Sequence, residues 1–369
     1  MTIDFLHDRL YTNQFKGETT VKTIRLFAVI LLLTLPLMAL GETQTITLTC
    51  TGDFMPGSND KVSTQAYAFQ RYIEKYGFGY PFETLQSLVG TDDITLVNFE
   101  CVLNDSEPAS ASRFCFRGPE TFAQVLPACS IEVANLANNH SGDYDAAGYR
   151  TTIAALDAVG VPYCGTTEFG NHACFVDVKG VRVGFVGTFP LWNKDHPQDL
   201  EKAFQFLKDN HCDVIVASVH CGNEYSDIHG SMHDTYGKRL KNLGANLIIG
   251  NHPHVPQGIN VFDGITQIYS LGNSSFGGNT GVDEEIHCIQ GTIAQFTLYF
   301  EDGKYTGHQL TLWPIHISGT TPENNYQPVL VEGEEAQQVM RMVQKDTAFT
   351  LNPYVDGQGA VQDFVPWNK

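Results

Sequence analysis

Short apolar runs recur along the chain, and segments with helical spacing of apolar residues separate them. The runs are apolar at successive positions, which is typical of strands buried on both faces. The predicted strands span residues 46–53, 94–100, 131–140, 181–188, 213–220 and 246–252. The predicted helices span residues 81–89, 144–158, 198–209 and 234–243. Alternating strands and helices predict an α/β fold with parallel strands in its sheet.

The pattern changes after residue 265, where shorter stretches alternate between apolar and polar residues. Residues 292–300 and 304–317 predict two strands, and the intervening Glu-Asp-Gly predicts a hairpin turn. Antiparallel strands are therefore expected to flank the parallel part of the sheet.

Three parts of the chain follow from these patterns. Residues 1–41 are predicted to be an N-terminal extension with a signal peptide, and residues 42–318 a single domain. Residues 319–369 are predicted to be a loop, a helix at 333–346 and a tail that pack on or near that domain.

The signal prediction rests on residues 26–40, LFAVILLLTLPLMAL. Lys22 and Arg25 precede this run, and small residues follow it at a spacing that suits cleavage. The run is shorter than the roughly 20 residues of a membrane-spanning helix, and Pro36 interrupts it. We predict a signal peptide at 21–41 and an exported, extracytoplasmic protein; a retained membrane anchor is the less favoured alternative.

Composition narrows the class of partner. The chain has 369 residues, of which 42% are hydrophobic, enough for a substantial core. Its 41 acidic and 22 basic side chains give a formal net charge of -19, which argues against a nucleic-acid partner. The nine cysteines form no CxxC pair, so we expect several of them to be small core residues.

Polar side chains follow several of the predicted strands. They are Asp53, Asn98, Glu100, Asn139, His140, His220, Asn251, His252 and His254. Because the carboxyl ends of parallel strands meet at one edge of a sheet, we expect these side chains to lie together. Carboxylates and imidazoles suit divalent Mn, Zn or Fe. Pro253 stiffens the backbone between His252 and His254, so both imidazoles could turn towards neighbouring ions. Taken alone, the pair is equally consistent with surface histidines at a turn.

The motifs of this chain resemble, in order, those of the CapA family of poly-γ-glutamate capsule synthesis proteins, and more distantly those of calcineurin-like metallophosphoesterases. The stretches are TGDFMPGS at 51–58, VNFECVL at 97–103, FRGPETFAQVL at 116–126, NLANNHSGDYDAAGYRTTIAAL at 135–156, VHCGNEY at 219–225, NLIIGNHPHVPQG at 246–258 and IYSLGNSSFGG at 268–278. Several motifs in order are far more specific than one motif alone. The resemblance implies a four-layer α/β/β/α sandwich of two mixed sheets.

The resemblance also implies one or two divalent ions, Mn, Zn or Fe, at the strand ends. The implied ligands are Asp53 and His254 for one ion, Glu100 as a bridge, and Asn139, His220 and His252 for the second ion. His140 would be the general acid for a leaving group.

The chain departs from the phosphoesterase pattern at Met55, where a histidine ligand is expected two residues after the aspartate. A thioether is a poor ligand for these ions, so one metal site is expected to have fewer ligands. The candidate substrate contacts are Arg117, Glu224 and Asn98. Arg117 could instead form a surface salt bridge, and Glu224 could instead accept a hydrogen bond from a ligand imidazole.

Other polar residues near the motifs have structural interpretations. Asp143 could orient His140, but we predict that it caps the helix that starts at residue 144. His229 and His233 have i, i+4 spacing, and we predict that they lie on a solvated helical face.

Two functions from different classes fit this sequence. The first is an exported CapA-like metal-binding protein that acts as a metal-dependent hydrolase, on a phosphoester or an amide, in the biosynthesis of poly-γ-glutamate capsule or another envelope polymer. The second is a non-catalytic, metal-dependent polymer-binding or assembly factor for capsule export. The implied partners are an anionic envelope polymer or a phosphoester substrate, and other membrane proteins of capsule synthesis.

Overall fold

A long mixed sheet of 15 strands organises the computed structural model, which describes residues 43–59, 63, 65–105, 114–277 and 289–367. The strands are β1 (Thr43–Phe54), β2 (Ser58–Asn59), β3 (Ile94–Phe99), β4 (Val102–Leu103), β5 (Phe116–Gly118), β6 (Val133–Asn135), β7 (Tyr163–Thr166), β8 (Asn171–Val178), β9 (Val181–Thr188), β10 (Val214–His220), β11 (Leu247–Asn251), β12 (Ile259–Phe262), β13 (Ile265–Ile268), β14 (Gln290–Glu301), β15 (Lys304–His316), β16 (Val329–Leu330), β17 (Ala360–Val361) and β18 (Val365–Pro366). The helices are α1 (Phe69–Tyr76), α2 (Gln86–Val89), α3 (Val125–Ala128), α4 (Asp145–Val159), α5 (Pro190–Asn193), α6 (Pro197–Asp209), α7 (Ser231–Leu243) and α8 (Gly333–Lys345). Short 3-10 helices at Tyr80–Leu85 and Glu120–Gln124 precede α2 and α3.

The strand order of the long sheet is β12-β13-β11-β10-β9-β8-β7-β6-β3-β1-β14-β15-β16, and β17 and β18 also pair with β15. Strands β1, β3, β6 and β7 form one parallel block, and β9, β10, β11 and β13 form another. A parallel bridge between β7 and β9 gives both blocks the same direction. The carboxyl ends of both blocks therefore point to the same edge of the sheet. A small second sheet has the order β2-β5-β4.

One core joins strands that are far apart in the order of the sheet. Leu48 on β1 and Phe296 on β14 belong to the same buried cluster as Val216 on β10 and Ile249 on β11. Strands β1 and β11 also contact each other although they are far apart in the strand order, so the sheet curls. The curl brings the ends of β1 and β3 towards the ends of β10 and β11.

Helices cover the outer side of the second parallel block. The buried residues of α6 follow the i, i+3, i+4, i+7 spacing of an amphipathic helix: Leu200, Ala203, Phe204 and Leu207. They share a buried cluster with Val219 on β10 and Ile248 on β11. This packing fixes the positions of β10 and β11. The histidines of the predicted site lie at or just after the carboxyl ends of these two strands.

The α/β class and the elements around the predicted site are confirmed, with small shifts in their bounds. The predicted strand at 131–140 is the exception, because only Val133–Asn135 pairs in the sheet. The chain turns after that point, and the backbone N–H of Asn138 donates to the carbonyl of Leu136 at 3.1 Å. Strand β8 was not predicted, since its side chains are partly exposed on both faces and give a weak pattern. The four-layer arrangement stays a prediction.

The predicted hairpin after residue 265 is confirmed by β14 and β15, whose ends pair Glu301 with Lys304. Most of the predicted loop at 319–332 is irregular, although β16 lies within it. Helix α8 begins at the predicted residue and buries Ala336, Val339 and Val343 in the main core. The domain boundaries themselves stay predictions.

The predicted signal peptide at 21–41 lies outside the described residues. Within the described ranges, none of the helices combines the length and apolar character needed to cross a bilayer. Several cysteines are core residues as predicted, among them Cys50, Cys129 and Cys164, while Cys288 lies outside the described part of the chain.

Candidate metal centre

Side chains from the two halves of the curled sheet meet at its carboxyl edge. In the first half, Asp53 lies near the end of β1, and Glu100 directly follows β3. In the second half, His220 ends β10, and His252 and His254 follow β11. Asp53, Glu100 and His220 have 0% exposed surface, so the centre is held inside the protein.

The carboxylates and imidazoles form three overlapping groups of potential ligands. Within each group, the ligand atoms lie within 4.8 Å of one another. The groups are Glu100, His220 and His252; Asp53, Glu100 and His254; and Glu224, His252 and His254. Because the groups share members, the arrangement is a continuous ligand cluster that can hold more than one cation.

Glu100 is the residue whose environment fits a cation best. Both of its carboxylate oxygens are buried and find no hydrogen-bond partner among the described residues. Burial, and then the charge of Asp53, raise the pKa of Glu100 well above its usual value. Buried carboxylates in proteins are normally paired, hydrogen-bonded or bound to metal, because an unsatisfied charge is costly. The nearest imidazole nitrogen, His220 Nε2, lies 3.6 Å from Glu100 Oε1.

The histidines of the centre differ in protonation. Burial lowers the pKa of His220 well below its usual value and also lowers the pKa of His252, so both imidazoles are neutral, as metal ligands must be. Burial also acts to lower the pKa of His254, but Glu100 and Asp53 outweigh it and raise this pKa to about 10. His254 Nδ1 lies 3.1 Å from Asp53 Oδ2. A divalent cation would take over the charge balance that the His254 proton provides.

The side chain of Asn98 links two residues of the centre, Asp53 and His220, by hydrogen bonds. Its Nδ2 donates to Asp53 Oδ1 at 2.8 Å and to His220 Nδ1 at 3.1 Å. Its own Oδ1 accepts a hydrogen bond from Asn135 at 2.8 Å. Asn98 is 1% exposed, so its amide fixes the orientation of a carboxylate and an imidazole from opposite halves of the sheet. Its predicted contact with substrate stays a prediction.

The Asn-Asn-His motif forms the turn after β6. The side chain of Asn138 donates to the carbonyl of Phe99 at 2.9 Å and accepts from the backbone N–H of His140 at 3.0 Å. The neighbouring Asn139 is exposed, and its Oδ1 accepts from His220 Nε2 at 2.6 Å. The amide oxygen of Asn139 thus lies beside the imidazole with which it was predicted to share an ion.

His140 is held by an aspartate rather than by solvent. Its Nδ1 lies 2.7 Å from Asp143 Oδ2, and its Nε2 lies 3.9 Å from Glu100 Oε1. The ring packs on Phe116 with 4.1 Å between the ring centroids. The prediction that Asp143 caps the helix is wrong, because α4 begins at Asp145 and the Asp143 carboxylate instead binds His140 and the backbone N–H of Phe116.

The turn after β11 has a strained backbone. His252 and His254 have φ values of 101° and 60°, in the left-handed region that side chains other than glycine seldom adopt. Backbone strain of this kind clusters at functional sites in proteins. His254 Nδ1 also lies 2.9 Å from the side-chain oxygen of Asn273, which follows β13. Asn273 was not singled out from the sequence, although its position after a strand is the same signal that identified the other residues.

Met55 does not face the ligand cluster. It is 1% exposed and belongs to an apolar cluster with Phe54 and Phe99. The position expected to supply a histidine ligand is therefore part of the hydrophobic core, as its thioether side chain favours.

The remaining predicted contacts lie at the border of the centre. Glu224 is exposed, and its carboxylate reaches the group that contains His252 and His254. Arg117 on β5 is half-buried, with its guanidinium 5.2 Å from the centroid of the Tyr144 ring. Arg117 also lines a cavity of about 180 Å³ with Gln70. Both substrate roles stay predictions.

The predicted solvated face with His229 and His233 is wrong. His233 is fully buried in α7, and His229 precedes the helix. His229 Nδ1 lies 2.8 Å from Asp346 Oδ1, and its ring stacks on Tyr269 at 3.8 Å between centroids. Sequence spacing could not reveal Asp346 as the partner of His229, because the two residues lie far apart along the chain.

Known proteins are similar to this chain over the region that contains these motifs. The family model described as bacterial capsule synthesis protein PGA_cap matches residues 47–277. The capsule biosynthesis protein CapA of Bacillus anthracis is 29% identical over 258 residues, which cover 64% of this chain and 61% of that protein, less than two thirds of its length. The PGA biosynthesis protein CapA of Bacillus subtilis (strain 168) is 23% identical over 378 residues, with 93% of this chain and 92% of that protein covered.

Another relative is a probable polyglutamine synthesis accessory protein of Mycobacterium tuberculosis, 24% identical over 233 residues that cover 54% of this chain and 61% of that protein. The matched family region contains every residue of the three ligand groups. Because the family model covers more than half of the chain, this protein belongs to the bacterial capsule synthesis protein family PGA_cap, as its CapA-like motifs predicted.

Proposed function

We propose that this protein is a metal-dependent hydrolase that acts on a phosphoester or amide bond in the biosynthesis of poly-γ-glutamate capsule or a related anionic envelope polymer. The observation that carries the proposal is Glu100, a fully buried carboxylate whose oxygens have no hydrogen-bond partner among the described residues and which faces His220 and Asp53. The polymer class comes from the printed names of the Bacillus relatives.

The proposed ligands come from both halves of the sheet: Asp53, Glu100, Asn139, His220, His252 and His254. A divalent cation bound there would polarise a phosphoryl or carbonyl oxygen and lower the pKa of a bound water. The protein's contribution is a buried centre in which Asn98 sets the directions of Asp53 and His220.

His140 is the proposed proton donor to the leaving group. Asp143 binds Nδ1 of the imidazole, so the ring is oriented with Nε2 towards Glu100 and the ligand cluster. Arg117 and Glu224 are proposed to contact the substrate at the border of the centre.

The wider proposal includes the architecture and location of the protein. A shared core between β1, β14, β10 and β11 supports a sandwich of two facing half-sheets with helices outside, the four-layer arrangement. The apolar run at 26–40 supports export, where an envelope polymer and other membrane proteins of capsule synthesis would be the partners.

The first experiment counts the metal. The full-length protein, loaded with Mn, Zn or Fe and freed of excess ion, should retain metal in elemental analysis, whereas His252→Ala should lose it. The matched control is His211→Ala, the same substitution at an exposed position before β10. Equal metal in wild type and His252→Ala would refute the assignment of the centre.

The second experiment tests catalysis. The loaded protein should cleave a generic phosphodiester, a phosphomonoester or poly-γ-glutamate, and His140→Ala should lose turnover while retaining its metal. If His140→Ala retained activity, His140 would not be the proton donor to the leaving group.

A non-catalytic binding or assembly factor is the second candidate, and Met55 favours it. The side chain at this position is buried in the core, so the centre lacks one ligand of the hydrolytic pattern that the sequence resembles. Stoichiometric metal together with no turnover of any of the three substrates, and metal-dependent binding of poly-γ-glutamate, would support this function.

A further inference from the structure

Glu224 is an exposed residue in the ligand cluster and lies outside the ligand set predicted from the sequence. Its carboxylate, His252 and His254 place their ligand atoms within 4.8 Å of one another. We propose that Glu224 is itself a metal ligand, which binds a second divalent cation from the solvent side together with these two histidines. This inference rests on the proposed metal centre and changes the role of Glu224 from substrate contact to ligand.

The loop that carries Glu224 is fixed to the turn that carries the histidines. The backbone N–H of Cys221 donates to the carbonyl of Asn251 at 3.1 Å, and that of Tyr225 donates to the carbonyl of Pro253 at 2.8 Å. Glu224 lies between these two attachments. The backbone that carries Glu224 is therefore held beside the turn with the histidines from both sides.

Gly222 shows how closely the two segments approach. Its φ of +123° is in the range that favours glycine, and a Cβ at this position would lie 2.8 Å from His233 Cε1 and 3.1 Å from Pro253 Cγ. A larger residue would push the loop away from the turn. The sequence Cys-Gly-Asn-Glu after β10 thus has the glycine that this close packing requires.

Further contacts hold the rest of the loop in register with the segment after the histidines. The side chain of Gln257 donates to the carbonyl of Ser226 at 2.6 Å. The Asp346 carboxylate accepts from the backbone N–H of His229 at 3.0 Å and from that of Gly258 at 3.1 Å. The two segments are joined along their whole length, as expected for a ligand loop with a defined geometry.

Geometry supports a second cation at this position. Two of the three ligand groups contain the buried Glu100, and the third consists of the exposed Glu224 with His252 and His254. The third group is therefore a second set of ligands that does not require Glu100. Its outer carboxylate would also add a ligand to a centre in which residue 55 is methionine rather than histidine.

The test uses Glu224→Gln in the full-length protein, because the amide keeps the size of the side chain and removes its charge. Cobalt(II) is titrated into metal-free protein, and bound ions are followed by elemental analysis and by visible absorption of the cobalt. We expect wild type to bind a second ion, and Glu224→Gln to bind that ion at least roughly tenfold more weakly. Glu224→His, which supplies a different ligand atom, should restore part of the binding.

The matched control is Glu168→Gln, because Glu168 is exposed and lines a cavity of about 170 Å³ beside Asn139. It removes a carboxylate near the centre without removing a member of the ligand groups. Equal weakening in both variants would show a general charge effect and overturn the proposal.

The outcomes separate this inference from the proposed function. If Glu224→Gln binds every ion as wild type does while His252→Ala loses metal, the centre stands and Glu224 is not a ligand. If the only effect of Glu224→Gln is a higher KM for poly-γ-glutamate or a phosphoester, the side chain contacts substrate and the inference is wrong. If wild type binds no ion, the proposed function and this inference both fail.

Discussion

Replacing Glu100 with Gln tests the centre through protein stability. The substitution keeps the shape of the side chain and removes a carboxylate that is 0% exposed and has no hydrogen-bond partner among the described residues. In metal-free protein that carboxylate opposes folding, because burial and Asp53 both disfavour its charge. We therefore expect Glu100→Gln to be more stable than wild type without metal and less responsive to metal.

The size of both effects can be worked out. Burying the charge of Glu100 costs about 3 kcal/mol more than burying the neutral amide of Gln, and for a chain of this size about 1 kcal/mol shifts Tm by about 2 °C. Metal-free Glu100→Gln should thus melt about 6 °C above metal-free wild type. Binding metal at about 100 times its Kd stabilises wild type by about 2.7 kcal/mol, which is about 5 °C. The variant should show little of this second shift.

The assay is differential scanning calorimetry of both proteins with chelator and with saturating Mn or Zn. Glu132→Gln is the matched control, since Glu132 is partly buried and accepts a hydrogen bond from the backbone N–H of Thr95 at 2.8 Å. It should respond to metal as wild type does. A metal-induced shift in Glu100→Gln equal to that of wild type would refute Glu100 as a ligand. A lower Tm than wild type without metal would refute the claim that its charge opposes folding.

The remaining predictions concern a positioning residue and a buried core histidine. Asn98→Ala removes the amide that donates to Asp53 and His220, so metal affinity should fall roughly 10- to 100-fold in calorimetric titration. His308→Gln should reduce acid sensitivity, because burial lowers the pKa of His308 from 6.5 to about 4. The unfolded state therefore takes up a proton below about pH 6.5 while folded His308 stays neutral, so stability is lost as the pH falls from about 6.5 to about 4. In urea unfolding, wild type should lose about 3 kcal/mol more than the variant between about pH 7 and pH 4.

Each of these predictions has a control. Asn193→Ala removes another buried amide, one that accepts from Thr166 and Thr188, and it should weaken folding without changing metal affinity. Wild-type metal affinity in Asn98→Ala would show that its hydrogen bonds do not position the ligands. His211→Gln changes an exposed histidine and should leave acid sensitivity unchanged. Equal acid sensitivity of His308→Gln and wild type would show that His308 does not cause the loss.

Much of the fold was predictable because the strands around the centre are buried on both faces. Strands β9, β10 and β11 are almost entirely buried, so their sequences are apolar at successive positions and easily recognised. Strand β8 escaped prediction because both of its faces are partly exposed. Helix α1 and the small second sheet were missed as well, since short elements give little periodic signal.

The candidate site was predictable only as a set of residues. Their place at strand ends, and the resemblance of their motifs, identified Asp53, Glu100, His220, His252 and His254, which the structure brings together. Only the resemblance to a known family indicated which of these residues would bind the same ion. The role of Asp143 was predicted wrongly, because an aspartate just before a helix can either cap that helix or accept a hydrogen bond from a nearby histidine.

The sequence by itself determined most of the elements around the centre, the presence of parallel strands and the family, because periodicity and motif order are local properties of a chain. Only the tertiary structure decided that the sheet curls, and that Glu100 therefore faces His220 while Asp53 faces His254. Those contacts join residues more than a hundred positions apart, and their geometry depends on packing across the shared core. The same packing fixes Glu224 beside the histidines, a place that no spacing along the chain could indicate.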